Sequence, residues 1–383
     1  MTNTSRETRC VQAAGAVESE TGAIVPPVHI ATTFERDPDN SYPRGFTYGR
    51  PHNATVQACE DVINGLESGA ATLAFGSGMA AALSLFLALP RPAHVVAPNV
   101  MYWALRNWLK TDAASHGLSV TFVDSTDLAA IGEATRPGQT KLIWIETPSN
   151  PLWSLADIAG CATIARSAGA NLAVDSTAAT PVLSQPLTLG ADIVMHSATK
   201  YLNGHSDVLA GTLTFASADS ELYAAATQIR STHGAILGPF EAALLLRGLR
   251  TLFVRVERQC LSARAIAEHF TSHDQISHVL YPGLATHPQY ELAQRQMVVG
   301  SGGMLSLRFA GGQAAAIAVA SALKVWVRAT SLGGVESLVE HRASVEGAGT
   351  PCPDDLLRLS VGLEAVDDLI KDLDQALAAA HGS

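Results

Sequence analysis

The sequence predicts an α/β protein: a doubly wound, mostly parallel sheet followed by a smaller C-terminal α/β domain. Seven short apolar runs predict the sheet, namely Ala71–Phe75, His94–Ala97, Ser119–Val123, Leu142–Glu146, Asn171–Asp175, Ile193–His196 and Gly211–Phe215, with helical patterns between several of them. Beyond Gly238-Pro239 the pattern changes to one long helix, Glu241 to about Phe270, and then to strands at Met304–Phe309, Lys324–Arg328 and Leu356–Val361. A closing amphipathic helix runs from Ala365 to Ala380. At 383 residues the chain is too long for one small core. It divides into an N-terminal arm over 1–55, a large domain over 56–237 and a small domain over 238–383.

Composition narrows the function classes. Hydrophobic residues make up 47% and charged residues 16%, which favours a well-buried globule over disorder. A net charge of −10 argues against a nucleic-acid or anionic-membrane surface, since both need a basic footprint. The first ten residues are polar and lack a signal-peptide core. The longest apolar stretches, Met79–Leu89 and Ala314–Val327, are too short or too interrupted to span a bilayer. Cysteines 10, 59, 161, 260 and 352 are scattered, which fits reduced thiols in a cytoplasm and no metal cluster.

Taken in order, the arm is broken by Pro26-Pro27, Pro38 and Pro43 and packs on something larger, such as a neighbouring subunit. At its end Tyr48 and Arg50 lie two apart on an extended segment and point to one side. They are either a surface turn or a phenol and guanidinium reaching a phosphate. An amphipathic helix follows from Val56 to Leu66. After the first strand, Gly76-Ser77-Gly78-Met79 opens a helix to about Leu89; free amides and the helix dipole make such a start an anion site. The same segment satisfies the loose dinucleotide fingerprint G-x-G-x-x-A. No acidic residue, however, ends the next strand to hold a ribose.

In doubly wound sheets ligands gather at the carboxyl ends of the strands, and there stand Asn150, Asp175 and Ser197 to Lys200. Asp175 ends an apolar run, so it either caps the following segment or pairs with a positive partner such as a protonated pyridine nitrogen. Lys200 is one of five lysines and alone sits just past an apolar strand, beside Ser197 and Thr199. Desolvation lowers a lysine's proton affinity and makes it a nucleophile towards an aldehyde. Together these residues suggest a Schiff-base lysine holding pyridoxal 5'-phosphate.

Several motifs recur in order along the chain: Tyr48-x-Arg50-x-x-Asn53, Gly76 to Met79, Glu146 to Pro151, Val174 to Thr177, His196 to Tyr201 with Gly204 to Asp207, Ser331 to Leu338, and Arg358 to Glu364. In this the sequence resembles the Cys/Met-metabolism group of pyridoxal-phosphate enzymes, which includes cystathionine γ-synthase, cystathionine γ- and β-lyases, methionine γ-lyase and O-acylhomoserine sulfhydrylases. The resemblance implies the aminotransferase-like fold (fold type I) and a homotetramer of two active-site dimers. It implies that Lys200 carries the cofactor and shuttles protons, that Asp175 pairs with the pyridine nitrogen, and that Thr177 packs on the ring near Asn150. Gly78, Met79, Ser197 and Thr199 would hold the phosphate, joined by Tyr48 and Arg50 from a neighbouring subunit. Tyr102 would stack on the ring and act as acid/base. Arg358 would clamp the substrate carboxylate, with Asn150, Thr330 and Ser331 beside it.

Two departures bear on the substrate. Tyr102-Trp103-Ala104-Leu105 is bulkier than the Tyr-Gly-Gly-Thr common in that group, and Thr330 stands where cystathionine-using γ-enzymes often carry glutamate. Threonine there implies a less charged γ-substituent, while Leu332, in place of the tryptophan of many β-lyases, favours γ-chemistry. The leading expectation is a lyase cleaving the γ carbon–sulfur bond of a sulfur amino acid. γ-Replacement is second and β-elimination third.

Overall fold

The computed structural model describes residues 4–15, 17–347 and 349–381. Strands β1 (Ala71–Phe75), β2 (Ala93–Pro98), β3 (Leu118–Val123), β4 (Thr140–Glu146), β5 (Asn171–Asp175), β6 (Ile193–His196) and β7 (Gly211–Phe215) form one sheet in the order β1-β7-β6-β5-β4-β2-β3. Neighbours from β6 to β3 pair parallel, and β7 pairs antiparallel with both β1 and β6. All seven sequence-predicted strands are present. Alternation along β4 sends Leu142 and Trp144 to the core on one face of the sheet, and Ile143 and Ile145 to the core on the other. Burying each such side chain contributes roughly 1.5–3 kcal/mol.

A second sheet has the order β10-β11-β12-β9-β8, from β8 (Ile276–Leu280), β9 (Met304–Phe309), β10 (Val327–Arg328), β11 (Leu338–Glu340) and β12 (Leu356–Ser360). Only β10 and β11 pair parallel. Sequence patterning misses β8 and β11, and it makes β10 too long. The amides of Lys324, Val325 and Trp326 go to the buried Asp372 carboxylate, not to a neighbouring strand.

The long helix expected from Glu241 to Phe270 is two helices, Pro239–Leu249 and Leu252–Phe270. Arg255 stabilises the break: its guanidinium donates to the carbonyl oxygens of Gly248 (2.9 Å), at the end of the first helix, and of Tyr201 (2.8 Å). Residues 17–53 hold no helix, and the bridge between Thr33 and Tyr48 is isolated. The arm does begin with a short helix, Arg6–Val11, on the next helix, Ala54–Glu67. Asn53 caps that second helix, accepting from the amides of Thr55 and Val56.

The glycine turn after β1 is packed to its limit. A Cβ on Gly211 would lie 2.2 Å from the Ser77 carbonyl oxygen and 2.7 Å from the Gly78 Cα. Both obstacles are backbone, so Gly211→Ala must push β7 away from the turn, at about 1–3 kcal/mol. Thermal unfolding of this variant is expected to show a clearly lowered Tm, and an unchanged Tm would refute the close packing of turn and strand.

Candidate active site

The parallel strands end in one row. Glu146 and Asp175 are register partners at the ends of β4 and β5, Asp175 pairs with Met195 on β6, and the chain then turns through Ser197 to Lys200. These ends border a cavity of about 240 Å3. Nine sequence-predicted residues line it: Gly78, Met79 and Tyr102 on one side, Asn150, Asp175 and Thr177 along the strand ends, and Ser197, Thr199 and Lys200 on the turn. Leu105, Leu209 and Leu332 make its apolar wall.

Two further predicted residues reach in, Ser331 from the loop between β10 and β11 and Arg358 from β12. Ser331 Oγ accepts from Lys200 Nζ at 2.9 Å, and Arg358 Nη1 donates to Asn150 Oδ1 at 3.3 Å. Three predicted residues stand elsewhere. Thr330 lines a separate cavity beside Arg328, Glu340 and His341. Tyr48 and Arg50 are exposed, with the Arg50 guanidinium 5.6 Å from the centre of the Tyr48 ring, and neither lines the Lys200 cavity.

At one end of the cavity lies the start of helix Gly78–Ala88. Ser77 caps it, its Oγ accepting from the Ala80 amide at 3.0 Å, and the amides of Gly78 and Met79 have no acceptor among the described residues. A Cβ on Gly78 would meet Ser197 Cβ and Oγ at 2.8 Å, so only glycine lets turn and helix come this close. Open amides at a helix start form a seat for an anion.

In the middle stands Asp175, 7% exposed. Its Oδ1 accepts from the Thr177 amide (3.0 Å) and hydroxyl (2.6 Å), and that hydroxyl oxygen accepts from the Ser197 amide at 2.8 Å. No lysine, arginine or histidine among the described residues forms an ion pair with it. Burial therefore raises its affinity for a proton above the usual carboxylate range. Glu146 is pushed the same way by burial and by the Asp175 charge beside it. Glu146 ties two loops together, because its carboxylate accepts from the amides of Tyr102 (2.7 Å) and Asn150 (2.9 Å). That function was not legible in the sequence, where Glu146 was only part of a motif.

At the other end Lys200 is lowered to about pKa 8, first by burial and then by the Arg358 charge. Ser331, which holds it, adopts φ +96°, a conformation rare for any residue but glycine. The Ser331 carbonyl accepts from Arg358 Nη2 at 2.8 Å, so one residue contacts both cations. Arg358 is 3% exposed and its Nη2 also donates to Glu340 Oε2 at 2.5 Å. Behind it, Arg342 pairs with Glu340 (3.0 Å) and with Glu346 (2.7 Å). Of this cluster the sequence singled out Arg358 alone; Glu340, Arg342 and Glu346 carried no signal.

An anion seat, a buried carboxylate without a cation and an amine of lowered basicity thus follow one another along a single cavity. Comparisons with known proteins agree with this chemistry. The chain is similar to the cystathionine γ-synthase of Mycobacterium tuberculosis, 43% identical over 376 residues that cover 97% of this chain and 96% of that one. It is similar to the L-methionine γ-lyase of Pseudomonas putida, 41% identical, covering 94% of this chain and 93% of the relative. The structure of cystathionine γ-synthase from Xanthomonas oryzae pv. oryzae in complex with cystathionine superposes with a TM-score of 0.94 at 36% identity, over 99% of both chains. This bears out the expected α/β fold. No helix among the described residues is long and apolar enough to cross a membrane. The family described as Cys/Met metabolism PLP-dependent enzyme matches residues 7–378, and the chain belongs to it.

Proposed function

We propose that the protein catalyses γ-replacement, exchanging the γ-substituent of an activated homoserine for a thiol to make a thioether amino acid such as cystathionine. The observation that carries this reading is the whole-length similarity to proteins named cystathionine γ-synthase, in sequence and in structure. That similarity moves the weight from γ-cleavage, the leading expectation from sequence. γ-Cleavage stays as the second reading because relatives at 38–41% identity are named cystathionine and methionine γ-lyases. Both begin with the same proton removals and differ in what captures the γ-carbon.

The residues present fit pyridoxal phosphate. Its phosphate would take the Gly78 and Met79 amides with Ser197 and Thr199, its pyridine nitrogen would supply the cation that Asp175 lacks, and its aldehyde would meet Lys200. When bound, it supplies the electron sink that makes a Cα proton removable. Arg358 orients the substrate by its carboxylate. Lys200 takes the Cα proton and later returns it, with Ser331 Oγ holding the amine between transfers. Tyr102, 44% exposed at the cavity mouth, places a phenol where the γ-substituent leaves. The apolar wall of Leu105, Leu209 and Leu332 keeps water from the γ-carbon.

The same proposal makes the working protein a homotetramer in the cytoplasm. Tyr48 and Arg50 would complete a neighbour's phosphate seat, and Ile24, Val25 and Ile30 of the arm would be covered there, all being exposed in the single chain. The five cysteines are buried and free, as suits a reducing compartment.

Three measurements test these statements. Purified, pyridoxal-loaded protein given an O-acylhomoserine and cysteine is expected to form cystathionine; 2-oxobutyrate from L-cystathionine, with no replacement, would select cleavage instead. The second concerns pH. Lys200 binds a proton below about pH 8 and is free above it, so the rate at which apoprotein turns yellow with pyridoxal phosphate should rise through about pH 8. It should level off well before 10.5, the value of an ordinary lysine, and a rise that continues to 10.5 would contradict the lowered value. Third, Arg50→Ala and Lys200→Ala proteins are each expected to lose at least about a hundredfold in turnover. Dissociated and reassembled together they should regain part of it, whereas no recovery would keep Arg50 out of a neighbour's site.

A further inference from the structure

Arg358 offers five N–H donors in a fixed plane. Both hydrogens of Nη2 are engaged, one by the Ser331 carbonyl and one by Glu340 Oε2. Among the described residues Nη1 makes one long bond, to Asn150, and Nε has no partner although it is buried. The guanidinium is thus anchored by one nitrogen, and its other donors remain for a ligand. Nothing on its own strand supplies the anchor: Glu340 comes from β11, at the register position opposite Arg358 on β12.

Glu340 is itself held. Arg342 Nη1 donates to the same Oε2 at 3.0 Å, while its Nη2 and Nε donate to Glu346 at 2.7 and 3.2 Å. All four groups are at most 8% exposed. Two guanidiniums and two carboxylates balance, so the cluster keeps its charges without solvent. If Glu340 served only to neutralise charge, either oxygen and any nearby geometry would do. Instead a single oxygen, braced by Arg342, takes one hydrogen of Nη2 while the Ser331 carbonyl takes the other. Two acceptors on the two in-plane hydrogens fix the Arg358 plane in rotation as well as in position.

We propose that Glu340, braced by Arg342, is a positioning residue for the substrate carboxylate, acting by holding Arg358 in the plane that leaves Nε and Nη1 free. This rests on the reading of Arg358 as the carboxylate clamp. A misaligned clamp costs binding and orientation, and a loss of roughly tenfold is expected.

The test is steady-state kinetics of the holoenzyme with the amino-acid substrate and with its α-carboxamide analogue, for wild type and Glu340→Gln. Wild type should prefer the acid strongly. Glu340→Gln should raise KM for the acid about tenfold with kcat changed far less, leave kinetics on the amide unaltered, and retain the cofactor as wild type does. An unchanged KM for the acid, or equal losses on acid and amide, would overturn the positioning role and leave the clamp reading intact. A wild type that does not distinguish acid from amide would overturn the clamp reading itself. Should Glu340→Gln fail to fold, Glu340→Asp keeps the charge but withdraws the carboxylate by one methylene, and it is held to the same outcomes.

Discussion

Everything in the site depends on a half-buried lysine without a carboxylate of its own. Among the described residues the Lys200 amine makes one hydrogen bond, to a neutral hydroxyl, and its strongest influences are burial and a guanidinium. Either would disfavour an ammonium, and together they bring the amine within reach of neutral pH. The fold achieves this by placing Lys200 on a turn at the strand ends, roofed by the second sheet. A surface lysine of the same sequence neighbourhood would remain an ordinary base.

The opposite problem is met one strand away. Asp175 and Glu146 are buried side by side at adjacent strand ends, a placement that parallel register imposes. Glu146 is satisfied by two loop amides, and in being satisfied it fixes the loops that carry Tyr102 and Asn150. Among the described residues Asp175 receives only the Thr177 amide and hydroxyl, and it therefore keeps capacity for a cation. Two neighbouring carboxylates thus have different tasks, set by what donates to each.

The sheet and its row of ligands were legible because parallel strands buried on both faces stand out as short apolar runs, and because small hydroxyls and a lysine after such a run are unusual. Leu338–Glu340 was illegible for the converse reason: three residues ending in a charge are too short a run to stand out. The break at Arg250-Thr251 carries no glycine or proline, and nothing in the sequence shows that Arg255 bridges the Gly248 carbonyl to the distant Tyr201 carbonyl there. Thr330 was singled out because it stands where related γ-enzymes often carry glutamate, yet it lines another cavity. Glu340 and Arg342 look like surface charges until β11 and β12 fold them inward.

Ser331 sets stability against chemistry at one position. Its positive φ costs on the order of 1–3 kcal/mol, a burden glycine would lift. Glycine would keep the carbonyl that receives Arg358 but lose the hydroxyl that receives Lys200. A protein selected only for resistance to heat would drift towards glycine here, and one selected for turnover would drift back. The residue at 331 therefore records which of the two demands has governed the chain.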